Sequence, residues 1–277
     1  MPIPLILGLA VFNTIGMANM IKNTVITNQA NNDLELAKSI HQKSVDKIEK
    51  AQKQVQDSIN NLDTVQRDIY ESFIQFALLI EKIQSKPDFK KIRKSKIDLP
   101  EIELEDIKSI SVAVQTLPLC TPLMATSVIG GFPIFGLVVM VAQGVKLAQL
   151  SNQANEAMKQ ANEEAKKADE SCELLYQISK AADSYCISIK RVNDVYKTHL
   201  NMLDFMINKQ NKIDWDDFDA NEKLVIENLS LLVTFLYKMC KVELLIKDNQ
   251  ENEKIRVNEN EIIKITSESE EILKMVS

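Results

Sequence analysis

The chain has 277 residues, which allows one large or two small domains. Glycine and proline are scarce, aromatic residues make up 5% and charged residues 26%, a mixture that favours long helices over strands and hairpins. The formal net charge of −6 argues against a nucleic-acid partner, because neutralising phosphates needs a basic face.

The N-terminal stretch is apolar from residue 2 to residue 21, and Lys22 carries its first charge. No basic residue precedes this stretch and no convincing small-x-small cleavage site follows it. We therefore expect a retained apolar helix rather than a cleaved secretory signal.

Helical sequence continues from there to Ser85, and Pro87 closes the segment. The later half has apolar residues at steps of three and four, the period of a coiled-coil seam. This seam consists of Ile48, Ala51, Val55, Ile59, Leu62, Val65, Ile69, Phe73, Phe76, Ile80 and Ile83.

Residues 86–108 form a predicted linker in which a basic cluster precedes an acidic one. The basic cluster fits attraction to anionic lipid headgroups. The alternative is a solvated loop whose two halves offset each other's charge. The candidate headgroup-binding residues are Lys90, Lys91, Arg93 and Lys94.

The stretch Ser109–Val145 contains no charged residue. It exceeds the roughly 20 residues that a helix needs to cross a bilayer. Gly130 and Gly131, with Pro118, Pro122 and Pro133 around them, exclude one straight helix. We predict an apolar hairpin with arms near 109–129 and 132–150. The alternative is a pair of core helices shielded by the surrounding polar helices.

A second long helix is predicted from Pro133 to Asn208. Small residues dominate the first half of its seam, which would let a neighbouring helix approach closely. The seam consists of Ala154, Ala157, Ala161, Ala165, Ala168, Cys172, Leu175 and Ile178, followed by Tyr185, Ile189, Val192 and Tyr196.

The two long helices resemble each other in sequence. Residues 6–16 match residues 134–144, and residues 22–31 (KNTVITNQAN) match residues 146–155 (KLAQLSNQAN). An internal duplication is the simplest account, and it predicts that both helices start at the same end of the molecule. Their apolar starts would then form one tip with the 109–129 arm.

Two sets of candidate residues follow from this tip. Two glycine pairs, each eight residues apart, would form helix–helix contacts in lipid: Gly8, Gly16, Gly136 and Gly144. The candidate membrane-facing residues are Leu5, Leu9, Phe12, Val112, Leu119, Leu123, Ile129, Phe132, Phe135, Leu137, Val138 and Val139.

The C-terminal region begins with a polar turn at 208–220. Its aspartates lack the glycine and terminal glutamate of an EF-hand, so calcium binding is not expected. Asp219 and Glu222 instead predict a capping box, with Trp215 and Phe218 packing beside the helix start. Helices are predicted at about 220–247 and 255–276, and the latter is amphipathic, with Ile255, Ile262, Ile265, Ile272 and Met275 on one side.

The sequence contains no recognisable catalytic or nucleotide-binding motif. His41 and His199 lack ligands at metal spacing, and we expect them to be surface or seam residues. Cys120, Cys172, Cys186 and Cys240 form no CxxC pair and are expected to be reduced. We expect neither catalytic residues nor a metal or cofactor.

The predicted fold is an all-α, elongated bundle of long coiled-coil-like helices with an apolar helical hairpin at one end. Its segments are 1–85, 86–108, 109–150, 151–208 and 209–277. This order of elements resembles the α-helical pore-forming toxins of the haemolysin E (cytolysin A) and tripartite enterotoxin type. In those toxins, very long helices carry an apolar hairpin in a head region. The resemblance covers most of the chain and includes no residue motif.

The resemblance implies membrane permeabilisation by a homo- or hetero-oligomer, with a lipid bilayer as partner and no cofactor. A cytoplasmic or secreted soluble form would become membrane-associated. One alternative is an integral membrane scaffold or effector subunit with a coiled-coil stalk, which would need detergent at all times. Another is a soluble coiled-coil adaptor whose partner covers the apolar tip, which would ignore lipid.

Overall fold

The computed structural model describes residues 27–87, 97–113, 147–247 and 255–276. These residues form an almost entirely helical fold, which confirms the predicted all-α class. The elements in chain order are α1 (Thr27–Lys82), α2 (Leu104–Ala113), α3 (Leu147–Asn208), a 3₁₀ turn (Trp215–Asp217), α4 (Ala220–Cys240), β1 (Leu245–Lys247), β2 (Ile255–Val257) and α5 (Glu259–Val276).

The chain divides into two compact units, and the two long helices contribute to both. Among the described residues, unit 1 consists of 27–55 from α1 and 147–177 from α3. Unit 2 consists of the remainder of these two helices together with α2, α4, the β-strands and α5.

The core of unit 2 forms along the predicted seams of α1 and α3. Phe73 is fully buried and packs edge-to-face against Tyr70 and Tyr196, at ring-centroid distances of 5.8 and 5.9 Å. The Tyr196 hydroxyl donates to the Ser72 carbonyl at 3.1 Å, and the Tyr185 hydroxyl donates to the Met239 carbonyl at 2.6 Å. The buried hydroxyls of Tyr185 and Tyr196 therefore each have a hydrogen-bond acceptor, as a buried polar group requires.

Helix α4 is the central helix of unit 2. Its residues 229–236 are all buried, so it presents no solvent face along two turns. Ser230 and Thr234 lie within this buried run, and their hydroxyls donate to the carbonyls of Ile226 and Ser230, respectively. These bonds satisfy the hydroxyls inside an otherwise apolar environment.

Helix α3 ends at Asn208, as predicted. The backbone N–H groups of Lys209 and Gln210 donate to the Phe205 carbonyl, and Asn211 takes a left-handed conformation (φ 55°). Asparagine tolerates this conformation better than most residues and commonly ends helices. The predicted packing at the start of the next helix is also confirmed, because Phe218 is buried 6.2 Å from the ring of Trp215.

The predicted capping box begins α4. The Asp219 carboxylate accepts from the N–H groups of Asn221 and Glu222, and the Glu222 carboxylate accepts from the Asp219 N–H. These bonds satisfy backbone donors that a helix start leaves unpaired. They also hold the pKa of Asp219 below its ordinary value of 3.8.

Asp219→Ala is therefore expected to lower the urea midpoint of unfolding. A lowered carboxylate pKa in the folded state contributes stability above the unfolded pKa, and that contribution disappears as pH falls through the folded value. The difference between the parent and Asp219→Ala should be complete at neutral pH and shrink below about pH 3.8. A difference independent of pH would contradict the carboxylate's role.

The structure corrects two predicted helices near the C-terminus. The helix predicted at 220–247 ends at Cys240, and the one predicted to start at Ile255 begins at Glu259. Between them β1 and β2 pair antiparallel, with Leu245 opposite Val257. On the predicted apolar side of α5, Ile262, Ile265 and Ile272 are buried, whereas Met275 is 43% exposed.

The boundaries around the predicted linker also differ. Helix α1 ends at Lys82, and Ser85 takes a left-handed conformation (φ 53°) shortly after it. The linker predicted at 86–108 was too long, because α2 begins at Leu104. Ile97, Ile102 and Ile107 are buried and anchor the chain before and within α2 to unit 2.

Candidate functional site

Most of the residues predicted to contact lipid lie outside the described part of the chain. Val112 lies within α2. The residues outside the described ranges are Leu5, Leu9, Phe12, Leu119, Leu123, Ile129, Phe132, Phe135, Leu137, Val138, Val139, Gly8, Gly16, Gly136, Gly144, Lys90, Lys91, Arg93 and Lys94.

The described residues that come closest in sequence to these apolar segments belong to unit 1. Within unit 1, α1 and α3 pack side by side and run in the same direction. His41 of α1 pairs with Glu164, and Lys47, one and a half turns further on, pairs with Asp169. Partner residues therefore advance together along the two helices, so the helices are parallel and both N-termini lie at the same end of unit 1.

Unit 2 shows the same parallel direction. Ser58 bonds to Ser179, Ser72 to Tyr196, and Lys82 to Asn208. In both units the bonded partners are separated by 121 to 129 residues. The matching sequence segments are separated by 124 and 128 residues. The offset between the matching segments, extended along the two helices, therefore gives the register of the described residues.

Small side chains form the contact between the helices in unit 1. Ala37, Ala157 and Ala161 make one buried cluster, against which Leu34, Ile40 and Met158 are partly buried. The small residues predicted along the α3 seam therefore do lie in the contact with α1. Of the other alanines in the predicted α3 seam, Ala154 and Ala168 are buried and Ala165 is half-buried.

One ion pair is mostly buried in this alanine-lined contact. His41 Nδ1 lies 2.8 Å from Glu164 Oε2, and their side chains are 9% and 16% exposed. Of the two positions predicted for His41, seam or surface, the structure shows the seam. His199 is half-buried, and its Nδ1 lies 2.9 Å from the Val195 carbonyl oxygen.

We expect His41→Ala to loosen unit 1 by about 1–3 kcal/mol, because it leaves the shielded Glu164 carboxylate without this partner. Hydrogen exchange of α1 residues 31–55 measures the effect directly. Lys43→Ala, at an exposed position half a turn away, is the matched control. Equal exchange in the two variants would show that the ion pair does not contribute to the helix contact.

A second ion pair in unit 1 is solvent-exposed. Lys47 Nζ lies 2.5 Å from Asp169 Oδ1. The hydrogen bond to Asp169, and then its charge, raise the pKa of Lys47 above its ordinary value. Because exposed pairs are screened by water and salt, we assign this pair to the register of the helices rather than to their stability.

Among the ionisable residues of unit 2, Lys238 has structural partners on two other segments. Lys238 donates to Glu268 at 2.7 Å and to the Asp98 carbonyl at 2.8 Å, which joins the segment before α2 to α4 and α5. Although Cys240 keeps some exposure as a residue, burial of its thiol raises its pKa well above the ordinary value of 9.0. A thiol in that state is a poor nucleophile at neutral pH.

The described residues support neither a reactive cysteine nor a metal-binding site. Cys172, Cys186 and Cys240 are free thiols. Burial raises the pKa of both Cys172 and Cys186. Across residues 27–87, 97–113, 147–247 and 255–276, no group of three or more His, Cys, Asp or Glu side chains is placed to hold a metal ion.

Two open clefts lie on unit 2. One, of about 490 Å³, has lysines and carboxylates on the same wall, including Lys238, Lys241 and Glu261. The other, of about 580 Å³, lies between the end of α3 and the start of α4 and is lined by Met202, Phe205 and Met206 among others.

No family model, curated protein or solved structure matches the chain. Within the described ranges, no helix is both long enough and apolar enough to be a candidate membrane span.

Sequence reasoning identified the alanine seam but missed the two ion pairs of unit 1. One signal was present, because His41 lies four residues after Ala37 and seven before Ile48, on the stripe of buried positions. Its partner could be identified only once the repeat had been used as a register between the helices. Adding the shorter repeat offset, 124 residues, to position 41 gives position 165, which is next to Glu164.

Proposed function

We propose that this chain is a membrane-active helical protein whose two apolar segments, residues 2–21 and 109–145, enter a lipid bilayer together. The observation that carries the proposal is the parallel packing of α1 and α3 in unit 1. Residues 2–21 precede α1, and residues 109–145 precede α3. Because α1 and α3 are parallel, the C-terminal ends of both segments lead into the same end of unit 1, whereas Ser109–Ala113 at the start of the second segment belong to α2 in unit 2.

The composition of the two segments supports a lipid environment. Neither contains an Asp, Glu, Lys or Arg. In hydrocarbon each backbone polar group must be satisfied within the inserted structure, which favours helices. The glycine pairs Gly8/Gly16 and Gly136/Gly144 would allow close helix contacts there. Several copies of the chain would then associate through these faces to permeabilise the membrane.

Unit 2 would be the part of the chain that stays folded in water, called the base below. Its core is built from large aromatic and aliphatic side chains around the buried helix α4. The charged surfaces of the long helices keep this base in water while the apolar segments enter lipid. The division of roles requires no catalytic group, so the proposed activity is binding and permeabilisation.

The test is liposome flotation with dye release, using protein purified without detergent. The proposal predicts soluble protein that floats with liposomes and releases the dye. Protein that stays insoluble unless detergent is present would support an integral membrane scaffold instead. Soluble protein that leaves liposomes intact and does not float would contradict the proposal and favour a partner-binding adaptor.

A further inference from the structure

The two units differ in the size of the side chains that join α1 to α3. In unit 1 the contact is made largely by alanine, whose methyl group removes little apolar area from water. The buried apolar residues described there are Ala37, Ile48 and Val55 from α1, and Ala154, Ala157, Ala161, Ala168 and Leu175 from α3.

In unit 2 the same two helices meet through large side chains. Tyr70, Phe73 and Phe76 of α1 and Tyr185 and Tyr196 of α3 are all buried. Aromatic side chains bury far more area than alanine, and edge-to-face pairs add to that burial. Helix α4 also covers the contact, since the Tyr185 hydroxyl donates to its Met239 carbonyl.

Unit 1 also contains buried polar side chains in its contact, although unit 2 buries polar side chains of the same two helices as well, among them Gln66, Ser179 and Asn193. His41 and Gln52 of α1 are buried, and His41 is paired with the mostly buried Glu164. Burying a carboxylate beside an imidazole removes the hydration of both groups, which offsets much of the interaction between them, so this shielded pair contributes less than apolar residues of similar volume. Such a pair does favour one register over others. The helices in unit 1 are therefore aligned but weakly joined.

We propose that α1 and α3 separate within unit 1 while unit 2 stays folded, and that this opening is required for the apolar segments to enter a bilayer. The second half of the inference rests on the proposed membrane function, and the first half does not. Proteins open locally at a cost that follows local apolar burial. Unit 1 has the lower burial and is attached to the segments that would move.

Hydrogen exchange of the full chain without lipid tests the opening itself. Amides in residues 31–55 and 154–177 should exchange on the order of tenfold or more faster than those in 58–80 and 178–207. Both helices cross from one unit to the other, so each supplies its own internal comparison. Equal protection along both helices would overturn the inference.

Disulfide locks test whether the opening is needed for membrane entry. Ala37→Cys with Ala161→Cys joins the helices within the alanine cluster of unit 1. Ser58→Cys with Ser179→Cys is the matched lock in unit 2, where the two hydroxyl oxygens lie 2.8 Å apart. The oxidised unit 1 lock should reduce dye release at least tenfold, and a reductant should restore it. The unit 2 lock should release dye like the parent.

Full dye release from the oxidised unit 1 lock would overturn the coupling. If the unit 1 double variant misfolds, Ala37→Cys with Ala157→Cys provides a second lock within the same cluster. If the parent chain itself releases no dye, the proposed membrane function is wrong. Hydrogen exchange alone then tests whether α1 and α3 separate within unit 1. The two failures are therefore distinguishable.

Discussion

Val138→Asp and Leu9→Asp are each expected to weaken liposome binding by on the order of 100-fold. An aspartate at the centre of a bilayer costs about 2.5–3.5 kcal/mol, and every 1.4 kcal/mol is a factor of about ten in affinity. The two residues belong to different apolar segments, so the proposal predicts the same direction of change for both. Flotation at increasing lipid concentration measures the affinity.

Ile187→Asp is the matched control for these charge substitutions. Ile187 lies on α3 in unit 2 and is 62% exposed, so a charge there remains in water. Its flotation should equal that of the parent. The helical circular dichroism of all three variants should also be unchanged. Binding that survives both Val138→Asp and Leu9→Asp would contradict the assignment of the apolar segments.

Phe73→Ala is expected to have the largest effect on stability. Phe73 is fully buried and contacts the rings of Tyr70 and Tyr196. Removing a buried phenylalanine typically costs about 3–5 kcal/mol, through lost burial and the remaining cavity. Urea unfolding followed by circular dichroism should therefore show a large decrease in the unfolding midpoint.

Leu78→Ala is the matched control for Phe73→Ala. Leu78 lies on the same helix five residues further on and is 54% exposed. Exposed substitutions usually change stability by less than about 0.5 kcal/mol. If both substitutions lowered the midpoint equally, the aromatic cluster would not be the centre of the unit 2 core.

The helical class and the contact seams could be predicted from sequence because they depend on local periodicity. Apolar residues at steps of three and four identify the buried face without any knowledge of the partner helix. The capping box was equally local, since Asp219 and Glu222 are three residues apart. The internal repeat in the sequence also predicted that α3 runs in the same direction as α1.

The short β-hairpin was missed because an apolar run of a few residues fits a helix or a strand equally well. A signal was nevertheless present. Glu243 separates Val242 from Leu244, and Leu244–Ile246 form a short apolar run that Lys247 ends, a pattern that a short strand also fits. The strong helical pattern before Cys240 instead led to the prediction of one continuous helix to residue 247.

The ion pair between His41 and Glu164 could not be predicted from either helix alone. Both residues lie on helices rich in charged side chains, and each has many possible partners in the sequence. The three-dimensional register selects one pairing from these. The same register underlies the proposed function, because α1 and α3, which follow the two apolar segments in the chain, begin at one end of unit 1.

The most direct test of joint bilayer entry is quenching of a fluorophore by quencher groups attached to lipid tails. The fluorophore is placed in turn at position 9, at position 138 and at exposed Ser184 of unit 2, in a chain whose four natural cysteines are replaced by alanine. We predict strong quenching at positions 9 and 138 and none at 184. Quenching at only one of the two apolar positions, or at neither, would contradict joint entry into the bilayer.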